Sequence, residues 1–272
     1  MAGRLRPRMR PGPRQPRGSN DLVTRAPQDP EQSPKPPRGE RNLNAHHAWA
    51  GLAAPANLRY PPISVETSGE WACFTRPEMN SERVSYPVMT PPAAVGLLSS
   101  IFWKPQMRWV IERIEVLAPV AWTTFRRNES GSAITRDHLS QGYLDVDDTV
   151  QQRMTTMLRD VHYRIHANVW VHPHAREQDP AKWRDQFLRR VKRGQSFRTP
   201  FLGMREFHAD VSESTDQGPV DWTEDLGIML HSISYDDRTA AETYDWFAAK
   251  VVNGVLEVPR TGLMAEHNEK AR

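Results

Sequence analysis

The stretch MTTMLRDVHYRIHANVWVHPHAREQDPAKWRDQFLRRVKRG, residues 154–194, changes its period half-way and so decides the fold class. In its first part Val161, Tyr163, Ile165, Ala167, Val169 and Val171 fall on one side, and His162, Arg164, His166 and Asn168 on the other. A period of two is the mark of a half-buried strand. The second part opens on Asp179-Pro180, a helix N-cap followed by proline at the first helical position. It closes on Lys192-Arg193-Gly194, cations in the last turn and then a glycine. A strand leading into a helix places the chain among the mixed α and β folds.

Upstream, Ile63 and Val65 and then Trp71 to Phe74 predict a first strand, broken by a turn at Thr67-Ser68-Gly69. Pro91-Pro92 opens the apolar stretch Ala93 to Trp103, ended by Lys104-Pro105, which predicts a helix of about three turns. Trp109 to Val120 reads as a strand reaching toward Phe125, and the polar stretch 128–149 reads as loop. Downstream, three further strands are predicted over 201–211, 228–235 and 250–258, the last with an Asn253-Gly254 turn inside it. This order predicts an α+β fold. The order is compatible with a ferredoxin-like (split βαβ) domain over residues 60–199, with a small antiparallel sheet appended over 200–259 and a tail over 260–272.

Residues 1–59 differ in kind. They hold 11 of the 36 Lys and Arg but only 4 of the 33 Asp and Glu, a net of +7, so the remaining 25 and 29 leave −4 for residues 60–272. The segment is rich in Pro and Arg and has little to bury, so it is expected to be disordered. It reads either as a basic arm that helps hold RNA or as translation from an upstream start. A nucleic-acid site on the folded part must then be a local patch, because bulk charge does not supply it. No apolar run approaches the ~20 residues that cross a bilayer. The single cysteine, Cys73, excludes an internal disulfide and a cysteine-based zinc site and suits a cytoplasmic protein.

Several phrases carry a family resemblance. They are Gly69-Glu70-Trp71-Ala72-Cys73-Phe74-Thr75-Arg76-Pro77-Glu78-Met79, then Glu82-Arg83-Val84-Ser85-Tyr86-Pro87-Val88-Met89-Thr90-Pro91, and Ile101-Phe102-Trp103-Lys104-Pro105. Further on come Leu158-Arg159-Asp160-Val161-His162-Tyr163, Asp179-Pro180-Ala181-Lys182, Leu202-Gly203-Met204-Arg205-Glu206-Phe207 and Asp225-Leu226-Gly227-Ile228-Met229-Leu230. In order and over roughly 63–258, these resemble the type I-C, d-subtype member of the fifth Cas family, within the RAMP superfamily of CRISPR-associated proteins. The resemblance implies an RNA-recognition-motif-like fold with an appended sheet, and a cytoplasmic subunit of an antiviral surveillance complex (Cascade) that holds the repeat-derived 5′ handle of crRNA. It implies partners in the backbone and large subunits of that complex, and in target DNA through the complex. It also implies an endoribonuclease that cuts pre-crRNA within the repeat, without metal or cofactor, by attack of a 2′-hydroxyl on the adjacent phosphate. That chemistry needs a base, a cation for the phosphorane charge and an acid for the leaving oxygen.

The family's usual triad is a tyrosine at the end of the first helix and a Lys-His pair at the second. Here Lys182 stands in place, but Phe102 occupies the tyrosine position and Trp183 the histidine position. Neither can shuttle a proton. Lys182 can still meet a developing phosphorane as a point charge. His162 and His166 are candidate substitutes, with His172, His174, His208 and Tyr86 as further titratable groups. The alternative is a subunit of the same complex that holds crRNA without cutting it. The bland reading of His162 and His166 is that they are hydrogen-bonded structural histidines. His172-Pro173-His174 has no acidic or cysteine partner at ligand spacing, so no metal is expected.

The second helix carries Lys182, Arg184, Arg189, Arg190, Lys192 and Arg193 against Asp185 alone. Such a run is commonly a solvated face. Placed by the resemblance beside the cleavage site, it is expected to bind phosphates, with Arg126, Arg127, Arg159 and Arg205 as further candidates. Trp103 and Trp109 are expected in the core rather than stacked on bases.

Overall fold

The computed structural model describes residues 62–79, 81–131, 134–143, 150–172, 175, 179–235 and 241–263, all within the second of two units, residues 1–38 and 39–272. The basic segment 1–59, His174 and most of the tail from 260 lie outside the described residues. The elements are β1 (Ile63–Ala72), β2 (Arg83–Val84), α1 (Pro91–Ile101), β3 (Met107–Val116), β4 (Ala121–Ser130) and α2 (Arg136–Gln141), followed by β5 (Val150–Val171), α3 (Pro180–Lys192), β6 (Asp210–Glu213), β7 (Glu224–Tyr235), β8 (Glu242–Val252) and β9 (Val255–Glu257). Among the described residues one sheet runs in the order β6-β1-β5-β3-β9-β8-β7. All of these pairs are antiparallel; β2 joins β5 in parallel.

The 22-residue β5 is the spine. Its second half pairs with β1 and β3, and its first half leaves the sheet as a ribbon with β4, Ala121 opposite Arg159 through Ser130 opposite Val150. Asp160 sits between the halves with φ 53°, a left-handed conformation that the short Asp side chain tolerates better than most. The polar stretch read as loop thus holds the end of β4 and the helix α2, which Thr135 caps in a capping box with His138.

Helices α1 and α3 cover the apolar face of the sheet. Thr90 caps α1 and Asp179 caps α3, each followed by proline. Trp183, Phe187 and Val191 recur every fourth residue and bury one face of α3; Phe187 meets Trp109 edge-on at 4.7 Å. Each such burial contributes roughly 1.5–3 kcal/mol. Trp109 and Cys73 are core residues, as expected.

Two predicted strands need correction. β1 has no break: Gly69 lies inside it opposite Val161, where a Cβ would meet the Leu202 side chain at 2.5 Å and the His208 carbonyl oxygen at 2.7 Å. That glycine marks close packing, not a turn. The segment 201–211 is a tight loop closed by a Phe201–His208 bridge, and only Asp210–Glu213 pairs, along β1. Downstream, β7 and β8 begin earlier than the sequence suggested, and the Asn253-Gly254 turn joins β8 to β9 with both residues at positive φ.

Candidate nucleic-acid interface

With three apolar side chains anchoring α3, its cations fall into two sets. Lys182, Arg189, Lys192 and Arg193 are exposed, with no ion-pair partner among the described residues. Lys182, Arg189 and Arg193 are spaced i, i+7, i+11 and so share one stripe. The other two cations are engaged. Arg184 holds Asp185 through two bonds of 3.0 Å. Arg190 turns inward, donates to the Ile101 carbonyl at 2.7 Å and lies 5.2 Å above the Phe102 ring. It closes the C-terminus of α1, where the helix dipole favours a cation.

Phe102 is 1% exposed and Trp183 4%. The two positions at which the resemblance expects a tyrosine and a histidine therefore point into the core, and the apolar residues found there fit their surroundings. Lys182, beside them, reaches solvent.

The candidate substitutes lie elsewhere. His162 and His166 alternate with Val161, Ile165 and Ala167, so they occupy the sheet face opposite α3. That face is not solvated, contrary to the half-buried reading: Arg164, His166 and Asn168 are all buried. Glu66, Arg164 and Glu115 form a ladder across three strands, with Arg164 donating to Glu66 at 2.7 Å and to Glu115 at 2.6 Å. His162 Nε2 joins it 3.1 Å from Glu66, and His166 Nε2 lies 2.8 Å from Glu115 without an aligned hydrogen bond. Burial pushes Glu66 up, but the Thr215 N–H and hydroxyl and Arg164 outweigh it and hold the carboxyl at about 2. Burial, with the neighbouring Arg113, lowers His166 and keeps it neutral near pH 7. Both histidines thus pair with carboxylates of this ladder, on the sheet face opposite the helix that carries Lys182. Of the remaining groups, Tyr86 is wholly buried with its phenol pushed up by burial, and His208 is exposed beside Asp210. Among the described residues no three His, Cys, Asp or Glu side chains gather as metal ligands.

The other predicted cations sit on the ribbon and the 201–208 loop. Arg126 is exposed on the outer ribbon face opposite Met154, Arg159 is exposed beside Asp160, and Arg205 is exposed on the loop. Arg127 points to the inner ribbon face, where it meets Glu206 at 2.7 Å and Glu129 at 3.6 Å. Here the structure adds two residues the sequence reading did not single out: Arg83, from β2, and Arg153, from β5, also approach Glu129. Their signal was non-local, since only the parallel β2–β5 pairing brings positions 83 and 153 together.

The architecture is that of a mixed α and β protein, a mainly antiparallel sheet with helices on one face and exposed arginines and lysines at its loops and ribbon. Residues 63–259 match the family described as CRISPR-associated protein (Cas_Cas5), and the chain belongs to that family. It is 40% identical over 215 residues to a Mannheimia succiniciproducens protein named CRISPR pre-crRNA endoribonuclease Cas5d, covering 72% of this chain and 94% of the relative. A Thermus thermophilus protein of the same name is 39% identical over 214 residues, covering 72% and 91%. A crystal structure titled CRISPR-associated protein shares the fold, with a TM-score of 0.54, 23% identity and coverage of 77% of this chain and 95% of that one. No described helix is long and apolar enough to cross a membrane.

Proposed function

We propose that this chain is the crRNA-binding, pre-crRNA-cutting subunit of a type I-C surveillance complex. The observation that carries the reading is the 40% identity over nearly the whole length of a relative named for that activity. The strand order β6-β1-β5-β3, with α1 joining β1 to β3 and α3 joining β5 to β6, supports a ferredoxin-like core to which β9, β8 and β7 add a second sheet segment. The repeat-derived 5′ handle lies along the exposed side of α3, where the stripe of Lys182, Arg189 and Arg193, flanked by Lys192, meets its phosphates. The other subunits of the complex, and target DNA through them, are its partners.

In the reaction the 2′-oxygen bonds to phosphorus and the bond to the 5′-oxygen breaks, leaving a cyclic phosphate and a 5′-hydroxyl. Lys182 meets the charge that develops on the phosphorane oxygens. With Phe102 and Trp183 buried and apolar, the typical ~10²–10⁴-fold contribution of acid–base transfer is absent from those positions. The same burial favours a second reading, in which the chain holds crRNA and does not cut it. Incubation of the purified chain with its repeat RNA in EDTA separates the two. A single cut beside the repeat hairpin, lost in Lys182→Ala, is the expected result. Absence of product at stoichiometric protein would leave only the binding reading, and a cut unaffected by Lys182→Ala would remove the site.

A further inference from the structure

Four segments distant in sequence converge under the loop of residues 201–208. Arg83 comes from β2, Arg127 and Glu129 from β4, Arg153 from β5, and Met204, Arg205 and Glu206 from the loop itself. Three guanidiniums surround one carboxylate: Glu129 lies 3.4 Å from Arg83, 3.6 Å from Arg127 and 3.8 Å from Arg153. All three distances are ionic contacts too long for hydrogen bonds.

A guanidinium offers five N–H donors, and among the described residues few of these are satisfied. Arg127 donates to Glu206 at 2.7 Å, and Arg153 to the Ser81 carbonyl at 2.8 Å and to Gln151 at 2.9 Å. Among the described residues the only other hydrogen-bond acceptor that Arg83 and Arg127 reach is the Met204 thioether, at 3.6 and 3.8 Å, which is a weak one. Three arginines thus stand against Glu129 and Glu206, and Arg205 is exposed on the same loop. Yet the side chains of Arg83, Arg127 and Arg153 are only 37, 21 and 33% exposed, so the forks are held in place. Like charges concentrated in a part-buried setting, with unfilled planar donors, suit a ligand that accepts in pairs. Phosphate oxygens do so.

We propose that this cluster is a second phosphodiester site for bound RNA, separate from the α3 stripe, in which Glu129 and Glu206 act as internal counter-anions that hold the arginine forks until an RNA phosphate takes their place. The proposal rests on the RNA-binding reading above. In the free protein the carboxylates limit repulsion among the arginines. In the complex a phosphate displaces the carboxylates and accepts from the arginine forks in pairs, and no covalent step is involved.

The test measures repeat-RNA affinity of the full chain across a salt series. Arg83→Gln and Arg153→Gln are each expected to flatten the log–log salt slope by about 0.7, the share of one phosphate on a single strand. Glu129→Gln and Glu206→Gln are expected to bind several-fold more tightly at low salt and to converge with the unmodified chain at high salt. Thermal melts confirm that each variant folds, and the more exposed Glu206 serves if the Glu129 change disturbs the ribbon. Unchanged slopes in both arginine variants, with Arg189→Gln still reducing the slope, would overturn this site and leave the RNA-binding reading intact. Loss of poly-L-glutamate binding with RNA binding preserved would make the cluster a dock for an acidic protein and overturn it as well. Absence of any salt-dependent RNA binding by the unmodified chain would remove both readings together.

Discussion

Phe102 and Trp183 differ from the expected tyrosine and histidine in chemistry, and their burial determines what that difference does. A phenol placed at 102 would need a partner inside the core, and an imidazole at 183 would leave the space of an indole. The double change Phe102→Tyr, Trp183→His is therefore expected to lower stability by about 2–5 kcal/mol, read by urea unfolding, without raising the cleavage rate. A tenfold gain in cut RNA would show that these positions reach the substrate after all. Gly203 shapes the loop that covers the arginine cluster. Its φ is +81°, and a Cβ would overlap the Cys73 carbonyl oxygen. Gly203→Ala should cost roughly 2–4 kcal/mol, the left-handed penalty plus overpacking, and should lower the melting temperature by several degrees. A melting temperature within a degree of the unmodified chain would contradict that account.

Among the elements, α3 was the most legible from sequence, because capping, periodicity and termination agree in one short window. Asp179, Pro180 and Gly194 fall where the chain chemistry puts them. The sheet was less legible. Residues 121–130 alternate in exposure, yet their composition is polar because both ribbon faces meet charge or solvent, so no apolar stripe marks them. β6 is four residues long and owes its place to β1, which no local pattern reveals. The same distinction applies to the cations. The run on α3 was visible, but the sequence could not say which side chains turn inward. Arg190 is the case that tests it. Its bond to the Ile101 carbonyl and its position over Phe102 predict that Arg190→Ala destabilises the fold by about 1–3 kcal/mol while leaving the RNA salt slope unchanged. Arg189→Ala should do the reverse: little change in stability, and a slope flatter by about 0.7. If Arg190→Ala flattens the slope as Arg189→Ala does, the inward geometry is not what RNA meets.

The sheet as a whole joins an apolar face, which carries α1 and α3, to a face built from ions, and the second governs how the molecule responds to acid. Glu66 faces Arg164, His162 and Thr215; Arg164 faces Glu115; His166 faces Glu115 and Arg113. Glu66 is held at about 2 against an ordinary value of 4.5. The unfolded chain therefore binds a proton at Glu66 before the folded chain does. Its stabilisation is complete above about 4.5 and is lost as pH falls toward 2, about 3 kcal/mol in all. His166 is lowered as well, so the unfolded chain also takes up that proton first, and the loss begins as pH falls below roughly 6.5. The two contributions have the same sign. Urea unfolding should give a midpoint that is level between about pH 7 and 8, declines gently below about 6.5 and falls steeply below about 4.5. Replacing Glu66 by Gln leaves Arg164 with one carboxylate, so it should lower stability at neutral pH and also remove the steep acid portion. An acid decline that persists unchanged in Glu66→Gln would mean that the protons enter elsewhere. Because Glu66 and His166 are bound into this ladder, the acid response belongs to folding, and RNA cleavage should not follow it over the range in which the chain stays folded.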